Sequence, residues 1–337
     1  MKEEEKNKQQ LSKVEQLYDD DKLLEAGRIL KELNPSTLTT KHKTILQKAK
    51  KGEELIEELT SDLHNKENPW IIHGVSKGEF PTLSAHRLEK CHGDDNNKNN
   101  NDGNNGNHHV ELKARCETPI DKSLLSPLIS VLNETELYET WLPSWNVPKF
   151  RIKKCQKLSQ RGRCSQVIII TFDVPWPIAT REVVLLADGI DDINHNGDIA
   201  IRLHSVDTGD EDGLVPPPED KSIVRMDIDG GFIFRQCPKD HPALVAGDAD
   251  EKILVTFAAS VNPKMKLLPQ SFLNFLVKTA FKIGWIIMLK VARDVRDGKR
   301  EDHKNKIKEK RGILYDWVDE RLREMMLFGQ AMTNATM

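Results

Sequence analysis

The sequence contains no G-x-S-x-G elbow, no G-x-x-x-x-G-K-[ST] phosphate loop and no H-E-x-x-H zinc motif, and its histidines are scattered. Those gaps argue against a serine hydrolase, a P-loop nucleotidase and a zinc protease. Cysteine is scarce too. The five present, Cys91, Cys116, Cys155, Cys164 and Cys237, form no C-x-x-C pair and are odd in number, which fits free thiols in a reducing compartment. Neither sign of charge dominates: 50 Lys and Arg oppose 53 Asp and Glu for a net charge of -3, so bulk electrostatics does not draw the chain to nucleic acid. The opening residues, MKEEEKNKQQ, lack the apolar core of a secretory signal and are too acidic for a transit peptide. The expectation is a cytoplasmic protein with room for peripheral membrane association. No cofactor or metal is expected.

No long apolar run is free of charge. Residues 272–292 come nearest to a membrane span, yet they carry Asn274, Lys278, Lys282 and Lys290. A lysine near the bilayer centre costs about 3 kcal/mol on an insertion scale, so a soluble helix is the better reading.

Against these absences, the 337 residues are enough to bury a core and still enclose a pocket. Residues 10–64 read as a helical hairpin. Leu17, Leu24, Ile29 and Leu33 recur at near-helical spacing, Asn34 and Pro35 interrupt, and Ile45, Ala49, Ile56, Leu59 and Leu63 resume. The chain then divides into this N-terminal segment (1–64), a main domain (66–297) with an Asn-rich insertion at 93–108 read as a disordered loop, and a C-terminal amphipathic helix and tail (298–337).

From Val110 the signal becomes mostly β, with Val110, Leu112, Ala114 and Cys116 alternating with Glu111, Lys113, Arg115 and Glu117. Two short helices follow, from Asp121 and from Thr135. Further strands are expected at 149–158, 165–174, 181–188, 198–206, 222–235 and 252–261, with turns at Gly162 and at Asn196 with Gly197. A long helix from Pro269 to about Val295 and a second amphipathic helix ending near Phe328 complete the chain. This order of elements predicts an α+β fold in which a curved antiparallel sheet wraps around the long helix and leaves a pocket between them.

Four segments, SPLISVLNETELYETWLPSW, TFDVPWPIATREVVL, SIVRMDIDGGF and SVNPKMKLLPQSFLNFLVKTAF, resemble the START family, the steroidogenic-acute-regulatory-related lipid-transfer domains, in order and at workable spacing over about residues 66–295. Asn262, Pro263 and Pro269 stand where that family turns into its lid helix. The resemblance implies a helix-grip fold, a tunnel for one lipid or sterol, and no chemistry on the ligand. The chain departs from the pattern in the Asn-rich insertion and in Lys264 and Met265, which replace the small residues frequent after the Asn-Pro pair.

Asp173 shares its strand face with Val167, Ile169 and Thr171, and Arg181 shares its own with Val183 and Leu185. A buried acid and arginine on neighbouring strands are expected to pair, because either alone loses several kcal/mol of hydration. The resemblance makes them candidates for orienting a ligand's polar end; the alternative is a strand-end ion pair. Arg225 reads as part of a structural salt bridge. At 100° per residue, Leu276, Ala280, Ile283, Ile287 and Val291 share one face of the long helix, assigned to the tunnel roof and ligand contact. Phe275, Lys278, Lys282, Trp285 and Leu289 share the other, assigned to membrane contact because Trp suits headgroup depth and Lys attracts anionic lipid. The competing assignment packs that second face beneath the terminal helices.

The expected function is binding, and intermembrane transfer, of a single lipid or sterol gated by the C-terminal helix. The runner-up is a lipid-responsive adaptor that engages a protein partner through residues 10–64, and a cyclase-type enzyme on a related fold comes third.

Overall fold

The computed structural model describes residues 2–63, 69–91, 109–146, 149–174, 179–244, 252–264 and 281–336. The Asn-rich tract at 93–108 and residues 269–280 of the expected long helix lie outside them.

The strands are β1 (Ile71–Val75), β2 (Leu83–Cys91), β3 (His109–Asp121), β4 (Trp145–Asn146), β5 (Lys149–Arg161), β6 (Ser165–Asp173), β7 (Arg181–Asp192), β8 (Asp198–Ser205), β9 (Val224–Arg225), β10 (Asp227–Gln236) and β11 (Lys252–Asn262). They form one antiparallel sheet in the order β1-β2-β3-β11-β10-β8-β7-β6-β5-β4, with β9 running parallel beside β7. The α+β expectation therefore holds, and the strands foreseen from 149, 165, 181, 198 and 252 begin at those residues, whereas the one foreseen at 222–235 is two strands, β9 and β10, broken at Met226. β1, β2 and β4 are additional to that reading. The link from β7 to β8 is a helical turn at Ile193–Asn196 closed by Gly197 at φ +74°, a longer connection than a two-residue hairpin turn. Glycine suits that left-handed position because a Cβ is disfavoured there.

Period-two alternation sends neighbouring residues of each strand to opposite sides, and both sides are covered. On one side lie α2 (Leu23–Glu32) and α3 (Thr40–Thr60), with α1 (Lys2–Asp19) behind them. Leu24, Ala49, Leu55 and Leu59 there bury Ile190, Ala200, Ile233 and Ala258. The expected hairpin is thus three helices, and it is part of the core. Arg115 of β3 closes the end of α3: its Nη2 donates to the Leu59 carbonyl at 2.8 Å and its Nη1 to the Ser61 carbonyl at 3.0 Å, placing a cation at the negative end of the helix. Glu117 accepts from Arg115 Nε at 2.8 Å and meets His241 Nε2 at 2.9 Å. Burial alone would raise its pKa, but these partners hold it below the usual carboxylate range.

The other side carries α4 (Leu125–Asn133), α5 (Lys282–Arg296), α6 (Glu301–Glu309) and α7 (Asp316–Thr336). Phe232 and Phe234 of β10, Ile253 and Val255 of β11, and Trp285 and Leu289 of α5 share one hydrophobic cluster. Between α6 and α7 the helix widens to a π-turn at Arg311–Tyr315. That turn is anchored by buried Glu134, which accepts from Tyr315 Oη at 2.6 Å and from Lys310 Nζ at 2.5 Å. No helix among the described residues is long and apolar enough to cross a membrane.

Candidate ligand-binding cavity

A cavity of about 340 Å³ lies between the sheet and these C-terminal elements. Its floor is the side of the sheet bearing Ile168 and Ile170 of β6, Leu185 and Ala187 of β7, Ile201 and Leu203 of β8, and Phe232 and Phe257. Its walls and roof come from Ile129 and Leu132 of α4, Tyr138 and Trp141 just beyond it, Met288 of α5, and Leu314, Trp317, Val318 and Leu322 of the C-terminal segment. β-branched and aromatic residues suit the pleated floor, and the helices cover it with one apolar stripe each.

The charged groups on the wall are paired. Arg321 grips Asp191 with both arms, Nε to Oδ2 at 2.6 Å and Nη2 to Oδ1 at 2.8 Å, with both residues under 10 % exposed. Arg163 donates to Asp21 at 3.3 Å and stands 5.0 Å over the Trp317 ring, a cation–π contact. Burial raises the pKa of Asp21, and Arg163 opposes that rise. Burial also pushes the Cys164 thiol up, so it is no thiolate at neutral pH.

The predicted pair does not form. Register places Arg181 opposite Phe172, so the arginine projects to the cavity side of the sheet and Asp173, one residue on, to the other. Asp173 instead accepts from Arg151 Nε at 3.0 Å and from Thr180 Oγ1 at 3.3 Å. Arg181, 5 % exposed, donates from Nη1 to the Ala179 carbonyl at 2.8 Å, and burial lowers its pKa. Neither residue lines the cavity. Arg225 does take part in a structural ion pair, with buried Glu182 at 2.9 Å.

The phase assigned to the long helix is also corrected. Trp285 and Leu289, assigned to a membrane face, are 5 % and 1 % exposed, whereas Ile283, assigned to the roof, is 37 % exposed. The Trp285 indole donates to Thr118 Oγ1 at 2.8 Å and stacks near Phe232. A large apolar ring whose N–H finds a partner gains more from burial than an isoleucine at the same place. Val291 is buried, Ile287 packs against the cluster and Lys282 is exposed, while Phe275, Leu276, Lys278 and Ala280 lie outside the described residues. Of the described roof candidates none lines the cavity; Met288 does. Cys155 faces Ile170 and donates to the Thr135 carbonyl.

Sequence reasoning missed Trp141, Gln166 and the whole contribution of residues 314–322. The spacing Leu314, Val318, Leu322 is a visible i, i+4, i+8 stripe. Nothing in the linear pattern says which surface it covers.

No protein-family model and no curated protein matches the chain. Solved structures do. Human STARD10 superposes at a TM-score of 0.47 with 15 % identity, covering 74 % of this chain and 81 % of its own. Human StAR-related lipid transfer protein 5 gives 0.46 at 13 % identity, covering 74 % and 98 %. A STAR-related lipid transfer protein fragment from Xanthomonas axonopodis gives 0.42 at 16 % identity, covering 66 % and 98 %.

Proposed function

We propose that the protein binds one lipid or sterol molecule in the cavity, does no chemistry on it, and carries it between membranes. The observation behind this reading is a cavity of about 340 Å³ walled by apolar side chains, with the charged groups described on its wall already paired. The resemblance of four sequence segments to lipid-transfer domains points the same way. Each CH2 moved from water into such a wall contributes about 0.8 kcal/mol, so a lipid-sized body is held firmly once enclosed. The volume is near the lower end of the roughly 300–1,000 Å³ usual for small-molecule pockets, which favours one compact molecule over a two-chain phospholipid. Uptake and release then require the roof to open. Contact with an anionic bilayer falls to Lys282 and Ile283, the exposed residues at the start of α5.

The test is native mass spectrometry of the purified protein followed by organic extraction. A stoichiometric lipid or sterol supports the reading, and an empty protein that also takes nothing from vesicles overturns it. A second reading, a lipid-responsive adaptor, is favoured by one feature: Asp21, at the junction of α1 and α2, lines the cavity and pairs with Arg163. Under it, Asp21→Asn uncouples partner capture by the N-terminal helices from lipid occupancy, and capture that still follows occupancy rejects this reading.

A further inference from the structure

Two residues of the cavity wall each carry a buried polar atom with no hydrogen-bond partner among the described residues: Trp141 Nε1 and Gln166 Oε1. Such groups are rare, and each costs about 1–3 kcal/mol when left unmet. Gln166 is 6 % exposed, and its Nε2 donates to the Asn133 carbonyl at 3.3 Å. That bond sets the amide orientation, so the free atom is the oxygen, an acceptor. The indole N–H is a donor only. Both residues are linked to the C-terminal end of α4. Gln166 bonds Asn133, Tyr138 Oη donates to the adjacent Leu132 carbonyl at 2.6 Å, and the Trp141 ring meets the Tyr138 ring edge-on at 5.3 Å.

Building on the lipid-binding reading above, we propose that the ligand is a compact apolar molecule ending in a neutral hydroxyl, which accepts from Trp141 Nε1 and donates to Gln166 Oε1. A hydroxyl supplies both an acceptor and a donor. A carboxylate or phosphate offers Gln166 no proton, and the arginines on the wall are already engaged by Asp191 and Asp21. An ammonium group offers Trp141 no acceptor. Sterols and long-chain alcohols share the required chemistry.

The experiment is competition against tritiated cholestanol by cholestanol, cholestanone and cholestane, which carry a hydroxyl, an acceptor alone and neither. A parallel arm uses 1-hexadecanol, hexadecane and hexadecanoic acid. In the wild-type protein the alcohol is expected to bind about 10- to 100-fold more tightly than the hydrocarbon, with the ketone between them. The arm with the tighter alcohol identifies the body. Gln166→Met is expected to abolish the preference for alcohol over ketone, and Trp141→Phe the preference for ketone over hydrocarbon. Ratios on one variant cancel any packing loss common to both probes. Alcohol and hydrocarbon binding within twofold in both arms, or hexadecanoic acid binding more tightly than the alcohol, overturns the hydroxyl proposal and leaves lipid binding standing. Failure of every probe to bind overturns lipid binding itself.

Discussion

The two sides of this sheet come from alternate residues of the same strands, yet they are packed by different rules. Toward α2 and α3, alanines and glycines set among leucines and isoleucines bring the elements into close contact. Gly27 abuts Ala49, and a Cβ at Gly52 would lie 3.1 Å from Leu24 and 3.2 Å from Ile190. Toward α4, α5 and α7 the residues are large, but they stop short of closure and leave the cavity. Interiors normally pack as densely as organic crystals, so a void of this size against the sheet is a departure from what stability favours. The difference puts the tightest contacts on one side and the void on the other.

The largest effect expected on either side is the loss of a charge pair that ties α7 to the cavity side. Asp191→Ala leaves Arg321 with only Glu324, whose side chain is 42 % exposed. Removing one partner of a buried pair costs about 3–5 kcal/mol, whereas replacing both with apolar residues of similar volume is close to neutral. Chemical denaturation should therefore show a large fall for Asp191→Ala and recovery in Asp191→Leu with Arg321→Met. A small effect of the single change would mean that packing, not charge, holds the roof down.

One methyl group tests the close-packed side. At an open helical site Gly→Ala stabilises by nearly 1 kcal/mol. At Gly27 the added Cβ overlaps the Cβ of Ala49, so Gly27→Ala should instead cost about 2 kcal/mol. A rise in Tm would show that α2 and α3 can move apart.

That side also sets a pH response. Asp198 faces Asp192 across β7 and β8. Burial raises its pKa to about 7, with Arg235 opposing and Asp192 adding to the rise. The folded state holds a proton that the unfolded chain releases near pH 3.8, so stability is greatest in acid, falls as pH climbs toward 7, and is flat above. Asp198→Asn should remove that fall and gain on the order of 1 kcal/mol at pH 8. Equal pH slopes for the two proteins between pH 4 and 7 would reject the assignment.

Alternation made the strands legible because it is local. Residues 165–173 and 181–192 declare their faces without reference to anything else. Which faces meet is a matter of register, and register depends on the connection between strands, so Asp173 and Arg181 looked like partners and are not. The helix phase failed for a related reason. Trp285, Met288, Leu289 and Ala292 form an i, i+3, i+4, i+7 stripe that stood in the sequence, but the lysines around Trp285 suggested a membrane instead of a core. The site itself is assembled from residues separated by most of the chain, from Asp21 to Leu322, and no linear spacing encodes that meeting.

The smallest stability effect should accompany the clearest functional one. Ala187 of β7 is 7 % exposed, lines the cavity and sits directly opposite Gln166. Ala187→Leu adds three carbons where Gly27→Ala adds one, but it adds them to a void. Their burial, at about 0.8 kcal/mol per CH2, offsets the ordering of the new side chain, so stability should change by less than about 1 kcal/mol. Lipid or sterol uptake should nevertheless fall about tenfold or more, because the leucine occupies the place beside the proposed hydroxyl site. Measuring Tm and ligand uptake on both variants separates the two sides: three carbons tolerated and uptake lost on one, one carbon resented and uptake kept on the other. If Ala187→Leu destabilises as much as Gly27→Ala, the cavity is closed in solution and the asymmetry between the sides is not what carries function.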